Sequence, residues 1–309
     1  MLVDLTEYHR PTEMARAASL LARERPVTVP LGGATALCGG AAVGVEAVVD
    51  LGGLELDFIR AESDGLSIGA MTTLQDLVEN RATRSFRSGV IAASARSSAT
   101  RGLRNAATVG GTLAAGGLAR ADLPVVLLAL DARVRVLGLD GQERWLAMAE
   151  CTDGLPARGI IVEVSVPGPS RSGPGAGGAE PGAPGLPPPP AGAAFMRVGR
   201  TVSDPSLVHV AAAVDSVPDG GCAVRLACGG VGWAPVRAVA VEAELRGSDL
   251  DDGTVRRALE RDLALTPPPS DFRASSTYRE AVARVLARRA IRQACALAAG
   301  AHPSLGDAG

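Results

Sequence analysis

Ala107-Thr108-Val109-Gly110-Gly111-Thr112, preceded by Gly102-Leu103-Arg104-Asn105, is the stretch on which the reading of this chain turns. A second turn of the same kind, Leu31-Gly32-Gly33-Ala34-Thr35, lies far upstream, directly after the β-branched run Val27-Thr28-Val29. Each pairs glycines with a threonine. Glycine lets the backbone approach a ligand closely. Successive exposed N–H groups in such turns form anion-binding concavities, and a threonine hydroxyl adds a donor. Two such turns can grip a pyrophosphate from two sides, without the dinucleotide fingerprint of a Rossmann fold. One doublet alone says little, because 38 of the 309 residues are glycine and tight turns use glycine freely. The flanking sequences decide the matter.

From Ala92 to Val136 the chain resembles the flavin-binding subunit of molybdenum hydroxylases, the carbon monoxide dehydrogenase and xanthine dehydrogenase family. Members carry a segment close to I-R-N-x-A-T-I-G-G-N, then A-D-L-P and an apolar helix ending in L-D-A. Here stand Leu103-Arg104-Asn105-Ala106-Ala107-Thr108-Val109-Gly110-Gly111-Thr112, then Ala121-Asp122-Leu123-Pro124 and Leu128-Ala129-Leu130-Asp131-Ala132. Ile68-Gly69-Ala70-Met71-Thr72-Thr73 is similar to the family's I-G-A-x-T-T turn. Phe195-Met196-Arg197-Val198-Gly199-Arg200, with Asp204 following, is similar to F-x-K-x-x-R…D. Asp271-Phe272-Arg273-Ala274-Ser275-Ser276-Thr277-Tyr278-Arg279 is similar to D-x-R-G-S-A-x-Y-R, and Arg288-Arg289-Ala290 to the R-R-A that follows. The likeness runs along nearly the whole chain, in order.

The departures are local. Members place threonine or histidine straight after the first glycine pair, whereas Thr35 comes one position late. Thr112 stands where Asn or Asp is common, and Arg197 where lysine is. The chain contains no lysine at all. Arginine keeps the charge but presents a planar fork.

The resemblance implies an α+β architecture. A two-subdomain FAD-binding domain of the p-cresol methylhydroxylase (PCMH) type is followed by a smaller α+β C-terminal domain of the CO dehydrogenase flavoprotein type. It implies FAD as cofactor, with Gly32, Gly33, Ala34 and Thr35 on the pyrophosphate through backbone N–H groups. Thr108, Gly110, Gly111 and Thr112 are implied to close on the same phosphates and the ribityl chain. Asp122 is an implied acceptor for a ribityl or ribose hydroxyl, and equally a helix N-cap, since Pro124 and apolar residues follow it. Arg197 is implied to place positive charge near the flavin ring. Asn105 braces the second loop. The implied partners are a molybdopterin-binding large subunit and a [2Fe-2S] small subunit, in a heterotrimer or its dimer. The implied activity is electron transfer to NAD, oxygen or another acceptor. Two other readings compete: a self-contained flavin oxidoreductase, and a structural subunit without FAD.

Composition agrees with this division of labour. A hydrophobic fraction of 47% supports buried cores, but aromatics make up only 3%, so packing rests on Ala, Val and Leu. The net charge of −2 argues against nucleic-acid binding through a basic surface. No apolar run reaches the roughly 18 residues of a membrane span, and the N-terminus does not read as a signal peptide. Cys38, Cys151, Cys222, Cys228 and Cys295 include no C-x-x-C pair, which argues against a metal cluster on this chain and for reduced thiols in the cytoplasm. Of three histidines, His9 and His302 are near the termini, and His209 sits in an alternating apolar run as a strand residue. With no acid–base constellation of its own, the chain needs a cofactor to carry chemistry.

The expected organisation is a flavin domain over 1–166, a Pro/Gly-rich linker over 167–193, a C-terminal domain over 194–300 and a tail over 301–309. Periodicity predicts a helix over Thr12–Arg23 and strands at Val27–Val29, Val45–Leu51, Leu54–Arg60 and Leu66–Ala70. A helix capped by Thr72 or Thr73 follows. Further helices are expected over Phe86–Ser98 and after Pro124, with strands over Arg133–Leu137 and Gly159–Val166. Beyond the linker, Val208–Val214 and Cys222–Ala227 read as strands. Val236–Leu245, Gly253–Leu263 and Ser276–Ala299 read as helices, placed on one face of an antiparallel sheet. The arginines of the last helix, Arg284, Arg288, Arg289 and Arg292, form either a solvated face or a subunit contact.

Overall fold

β-branched and apolar residues build three sheets in chain order. A computed structural model describes residues 4–38, 43–115, 122–152, 154–155, 158–169, 191–201, 204–217, 221–265 and 270–300. The first sheet is parallel, with β1 (Glu7–His9), β2 (Thr28–Leu31) and β3 (Ala47–Asp50) in the order β1-β3-β2. Helix α1 (Met14–Leu21) buries Ala17, Ala18, Leu20 and Leu21. The expected strand over Leu54–Arg60 is corrected: only Ile59–Glu62 is strand (β4), because Glu55 adopts φ 54° and turns the chain.

The second sheet is five-stranded and antiparallel, in the order β4-β5-β8-β6-β7. Its other strands are β5 (Gly65–Gly69), β6 (Arg133–Gly138), β7 (Glu143–Ala147) and β8 (Gly159–Pro167). A register shift between Arg135 and Val136 marks a bulge in the β6–β8 pairing. Along β8, Ile161, Val164 and Val166 face the main core, whereas Ile160 and Val162 pack with α1 and β3 of the first subdomain. One strand thereby joins two small cores.

Between β5 and β6 run helices α2 (Leu74–Glu79), α3 (Arg81–Ser85), α4 (Val90–Ser98), α5 (Arg101–Arg104), α6 (Val109–Ala114) and α7 (Asp122–Ala129). Thr73 caps α2 in a capping box with Asp76. The helix expected over Phe86–Ser98 begins only at Val90, because Arg87, Ser88 and Gly89 all take left-handed conformations. Every residue of α7 is buried. A helix that is apolar all round belongs inside a protein, and α7 lies against α4 on one side and the third sheet on the other.

That third sheet is antiparallel, β12-β11-β10-β9, from β9 (Ala191–Val198), β10 (Val208–Ser216), β11 (Cys222–Gly229) and β12 (Val236–Arg237). Helices α8 (Val239–Leu245), α9 (Asp252–Asp262) and α10 (Ser276–Ala298) follow. Val236 and Arg237 are strand rather than the start of α8, pairing with Cys228 and Ala227. Val208, Val210, Ala212 and Val214 of β10 face the core built with α8 to α10, whereas Ala211 and Ala213 join the core of the first domain. The helices do cover one face of this sheet, and the flavin-type domain covers the other. Most of the expected linker lies outside the described residues, as does the tail.

Candidate functional site

The two glycine turns meet. A Cβ added to Gly33 would lie 1.5 Å from the carbonyl oxygen of Ala106, so the first turn rests directly on the backbone of the second. A Cβ at Gly32 would lie 2.7 Å from the Thr108 hydroxyl oxygen. A side chain at Gly33 would have to move one loop off the other, whereas one at Gly32 would displace the Thr108 hydroxyl. A Cβ at Gly110 would lie 2.9 Å from the Cβ of Ala70 and 3.0 Å from its carbonyl oxygen, a milder conflict.

Strand pairing sets this up. Thr28–Leu31 pairs in parallel with Ala47–Asp50, and the turn leaves its end at Gly32. The second turn is pinned from beneath: the N–H of Val109 donates to Thr72 O (2.9 Å) and that of Gly110 to Ala70 O (2.8 Å). The N–H of Leu74 donates to Ala107 O (2.8 Å). The Ile68–Thr73 and Leu103–Thr112 segments singled out in the sequence are therefore one hydrogen-bonded unit. Asn105 lies in that unit, its N–H bonded to Arg101 O.

A cleft of about 210 Å³ opens between the turns, lined by Gly32, Gly33, Ala34, Thr35, Thr108 and Gly111, with Pro30, Leu37 and Ala114 among the apolar contributors. Beside it lies an apolar recess of about 60 Å³, walled by Leu51, Met71, Gly110, Leu155, Ile160 and Ile161.

The two turns supply different donors. Ala34 takes φ 60°. Among the described residues, the N–H groups of Gly32, Gly33 and Ala34 have no backbone hydrogen-bond partner. The second turn spends its amides internally, since Gly111 N–H donates to Thr108 Oγ1 (3.0 Å) and Thr112 N–H to Thr108 O (2.9 Å). The Thr112 hydroxyl also turns back to Thr108 O (2.8 Å). Thr108 accepts at Oγ1 and keeps its own hydroxyl proton to donate.

Asp122 and Arg197 lie apart from this cleft, at the joint between the two domains. Asp122 is buried at the first residue of α7. Its carboxylate accepts from the hydroxyls of Ser97 (2.8 Å) and Ser206 (2.6 Å). Arg197 Nε stands 3.7 Å from Asp122, and the Arg197 guanidinium donates to Ser97 O (2.8 Å) and to Asp204 O. His209 Nδ1 lies 3.6 Å from the same carboxylate. His209 is a strand residue, as its alternating setting predicts. Its place beside Asp122 follows from which face of β10 meets α7, which period-2 alternation alone does not give. Ser97 and Ser206 carried no signal in the sequence.

Among the described residues no group of acidic, histidine and cysteine side chains could hold a metal ion, and all five cysteines are unpaired. Burial pushes the Cys228 thiol up to about 12 and the Cys151 thiol to about 11, so neither is a nucleophile at neutral pH. No helix among the described residues is long and apolar enough to cross a membrane.

Residues 4–169 match the family described as FAD binding domain in molybdopterin dehydrogenase, and residues 193–294 the CO dehydrogenase flavoprotein C-terminal domain. The carbon monoxide dehydrogenase medium chain of Afipia carboxidovorans is 29% identical over 94% of this chain and 97% of its own length. The nicotine 6-hydroxylase medium subunit of Paenarthrobacter nicotinovorans is 27% identical over 95% and 99%. Among solved structures, carbon monoxide dehydrogenase from Hydrogenophaga pseudoflava superposes with a TM-score of 0.82 at 25% identity, covering 96% of this chain and 99% of that one.

Proposed function

This chain belongs to the FAD-binding medium subunits of molybdenum hydroxylases, and from that membership we propose how its residues do the work. It is an oxidoreductase subunit whose cofactor is FAD. The observation that supports the placement of the cofactor is the interlocked pair of turns, with amides of one turn and a hydroxyl of the other facing a single cleft.

Gly32, Gly33 and Ala34 direct their backbone N–H groups at the pyrophosphate, and Thr35 opens the short helical turn that follows. Thr108 donates its hydroxyl from the opposite wall. Gly110, Gly111 and Thr112 act by holding that wall in place, since their amides are already bonded. Leu51, Met71 and Ile160 offer an apolar surface to a flat ring system beside the phosphates. Arg197 and Asp122 form a charged, hydroxyl-rich joint, where Asp122 would accept from a ribityl or ribose hydroxyl and Arg197 would place positive charge near the flavin ring. When bound, FAD supplies the ring that accepts electrons and passes them on. The protein binds it, orients it and shields it, with no acid–base group of its own required.

The partners in this reading are a molybdopterin-binding large subunit and a [2Fe-2S] small subunit, and the external acceptor is NAD, oxygen or another acceptor. Unpaired cysteines support a cytoplasmic location. Neither a self-contained flavin oxidoreductase nor a structural subunit without FAD is favoured by the family it belongs to.

The test is the visible spectrum of the chain purified alone and with its co-expressed partner subunits. Flavin absorbance, with FAD released on denaturation, is the expected result. A colourless chain in both preparations would overturn the reading.

A further inference from the structure

We propose that the corner of the C-terminal domain carrying Trp233, Phe272 and Tyr278 is the surface on which the iron–sulfur subunit docks. This inference rests on the flavin site described above.

The chain has only two tryptophans and four phenylalanines, yet Trp233 is 86% exposed and Phe272 is 91% exposed, and Tyr278 is 48% exposed. Large exposed aromatics on a protein whose interior is Ala, Val and Leu mark a contact surface rather than spare core.

These side chains are mounted on a rigid base. The guanidinium of Arg279, itself buried, donates to Leu207 O (2.6 Å), to Gly230 O (3.3 Å) and to the Asp271 carboxylate (2.9 Å). It thereby ties α10, which carries Tyr278, to the segments that lead into Trp233 and Phe272. Asp271 also accepts from the N–H groups of Arg273 and Ala274, and Ser275 caps α10 through Tyr278 N–H. Aromatic anchors held in place before binding lose little freedom on contact and dominate interface energetics.

Position and charge identify the occupant. The stretch 204–207 is bonded on one side to Arg197 through Asp204 O and to Asp122 through Ser206. On the other side it is bonded to Arg273 through Pro205 O and to Arg279 through Leu207 O. Four residues therefore separate the joint proposed to meet the flavin from the aromatic corner. Of the two partner subunits, the one that must come close to the flavin is the one that delivers electrons to it. The patch continues along α10, where Tyr278, Val285, Arg289 and Arg292 are all exposed at helical spacing. Arg289 and Arg292 form no ion pair among the described residues, whereas Arg284 is paired with Glu280 and Arg288 with Asp252. The complementary face is accordingly apolar at its centre and acidic along one edge.

The experiment co-expresses the chain with both partner subunits and introduces Trp233→Ala together with Phe272→Ala. Subunit stoichiometry, the apparent Kd for the iron–sulfur subunit on dilution, and FAD per chain are measured. The expected result is binding of the iron–sulfur subunit weakened at least tenfold with FAD per chain unchanged, while Trp145→Ala on β7 changes neither. Unaltered affinity for the iron–sulfur subunit, or loss of the molybdopterin subunit instead, overturns the proposal. Should the double variant fail to fold, Trp233→Ala alone and Arg273→Glu decide the matter, each expected to weaken binding at least threefold; unaltered binding in both overturns it. A wild-type complex that assembles without flavin would instead overturn the flavin reading, and the two failures are read from different measurements.

Discussion

Gly33 is the residue on which the fit between the two glycine turns, and with it the proposed FAD site, depends most. Its missing Cβ would fall 1.5 Å from Ala106 O, against backbone that is itself hydrogen-bonded to α5 and cannot swing aside. Gly33→Ala must therefore part the two turns by more than an ångström. The expected outcome is a folded chain with at least tenfold weaker FAD binding, measured as flavin per protein after dialysis. Thr35→Ala serves as the comparison. Thr35 is exposed and one place beyond Ala34, and the turn's contribution comes from amides, so this variant is expected to retain FAD within about threefold. Retention of full FAD content by Gly33→Ala would refute the interlock. On this reading the late threonine, conspicuous as a departure from the family pattern, is expected to matter less than the glycine before it. The sequence identifies both turns, but not that the amides of one are free and those of the other are spent, because that depends on which carbonyls lie beneath each turn.

At the scale of elements, most helices and strands were legible within a few residues, and the exceptions share a cause. Leu54–Phe58 is apolar enough for a strand, yet Glu55 takes a left-handed conformation that no propensity favours. Arg87, Ser88 and Gly89 do the same where periodicity reads helix, and this swings Arg87 inward. Strand β7 was missed because Glu143, Arg144 and Trp145 are all exposed on a sheet edge, leaving no alternation to detect. Strand β9 was missed because small residues at its start hide a face packed against α10. Tertiary contacts chose the backbone at each of these sites. The tie between α9 and α10 yields a prediction at this scale. The Arg288 guanidinium beside Asp252 holds that carboxyl below its usual range. A carboxyl whose value is lower folded than unfolded stabilises the fold above the unfolded value of about 3.9 and loses that contribution as pH falls through the folded value. Asp252→Asn is expected to lower the melting temperature slightly at pH 7, with the gap from wild type closing as the pH is taken below 4. A gap independent of pH would show that the pair contributes nothing.

The whole molecule is held together by charge as well as by the shared alanine-rich core. Arg87 of the first domain pairs with Asp215 of β10 (2.6 Å), and Asp215 is shared with Arg225. Arg225 reaches back to Asp131 of the first domain (3.2 Å), which also accepts from Arg237 (2.5 Å), itself paired with Glu242. Arg87, Asp215 and Arg225 are almost wholly buried. Burial pulls the Arg87 guanidinium below its ordinary value, and Asp215 opposes that pull. Such a pair is weak support for stability by itself, because desolvation offsets attraction, but removing one member strands the other. Arg87→Ala leaves Asp215 with one cation instead of two and opens the face where β10 meets the first domain. The expected loss is about 3 kcal/mol, in the range seen for broken buried pairs. Because the damage lies between domains rather than within one, the single unfolding transition expected of the wild type should separate into two in calorimetry. The triple variant Arg87→Met/Asp215→Leu/Arg225→Met removes the three buried charges together, Asp131 keeping Arg237, and is expected to recover much of the stability, since apolar replacements of a buried ionic cluster are tolerated. Equal losses in the single and triple variants would assign the joint to packing alone. Recovery would show that the loss in the single variant comes from buried charge left stranded at the joint between the domains.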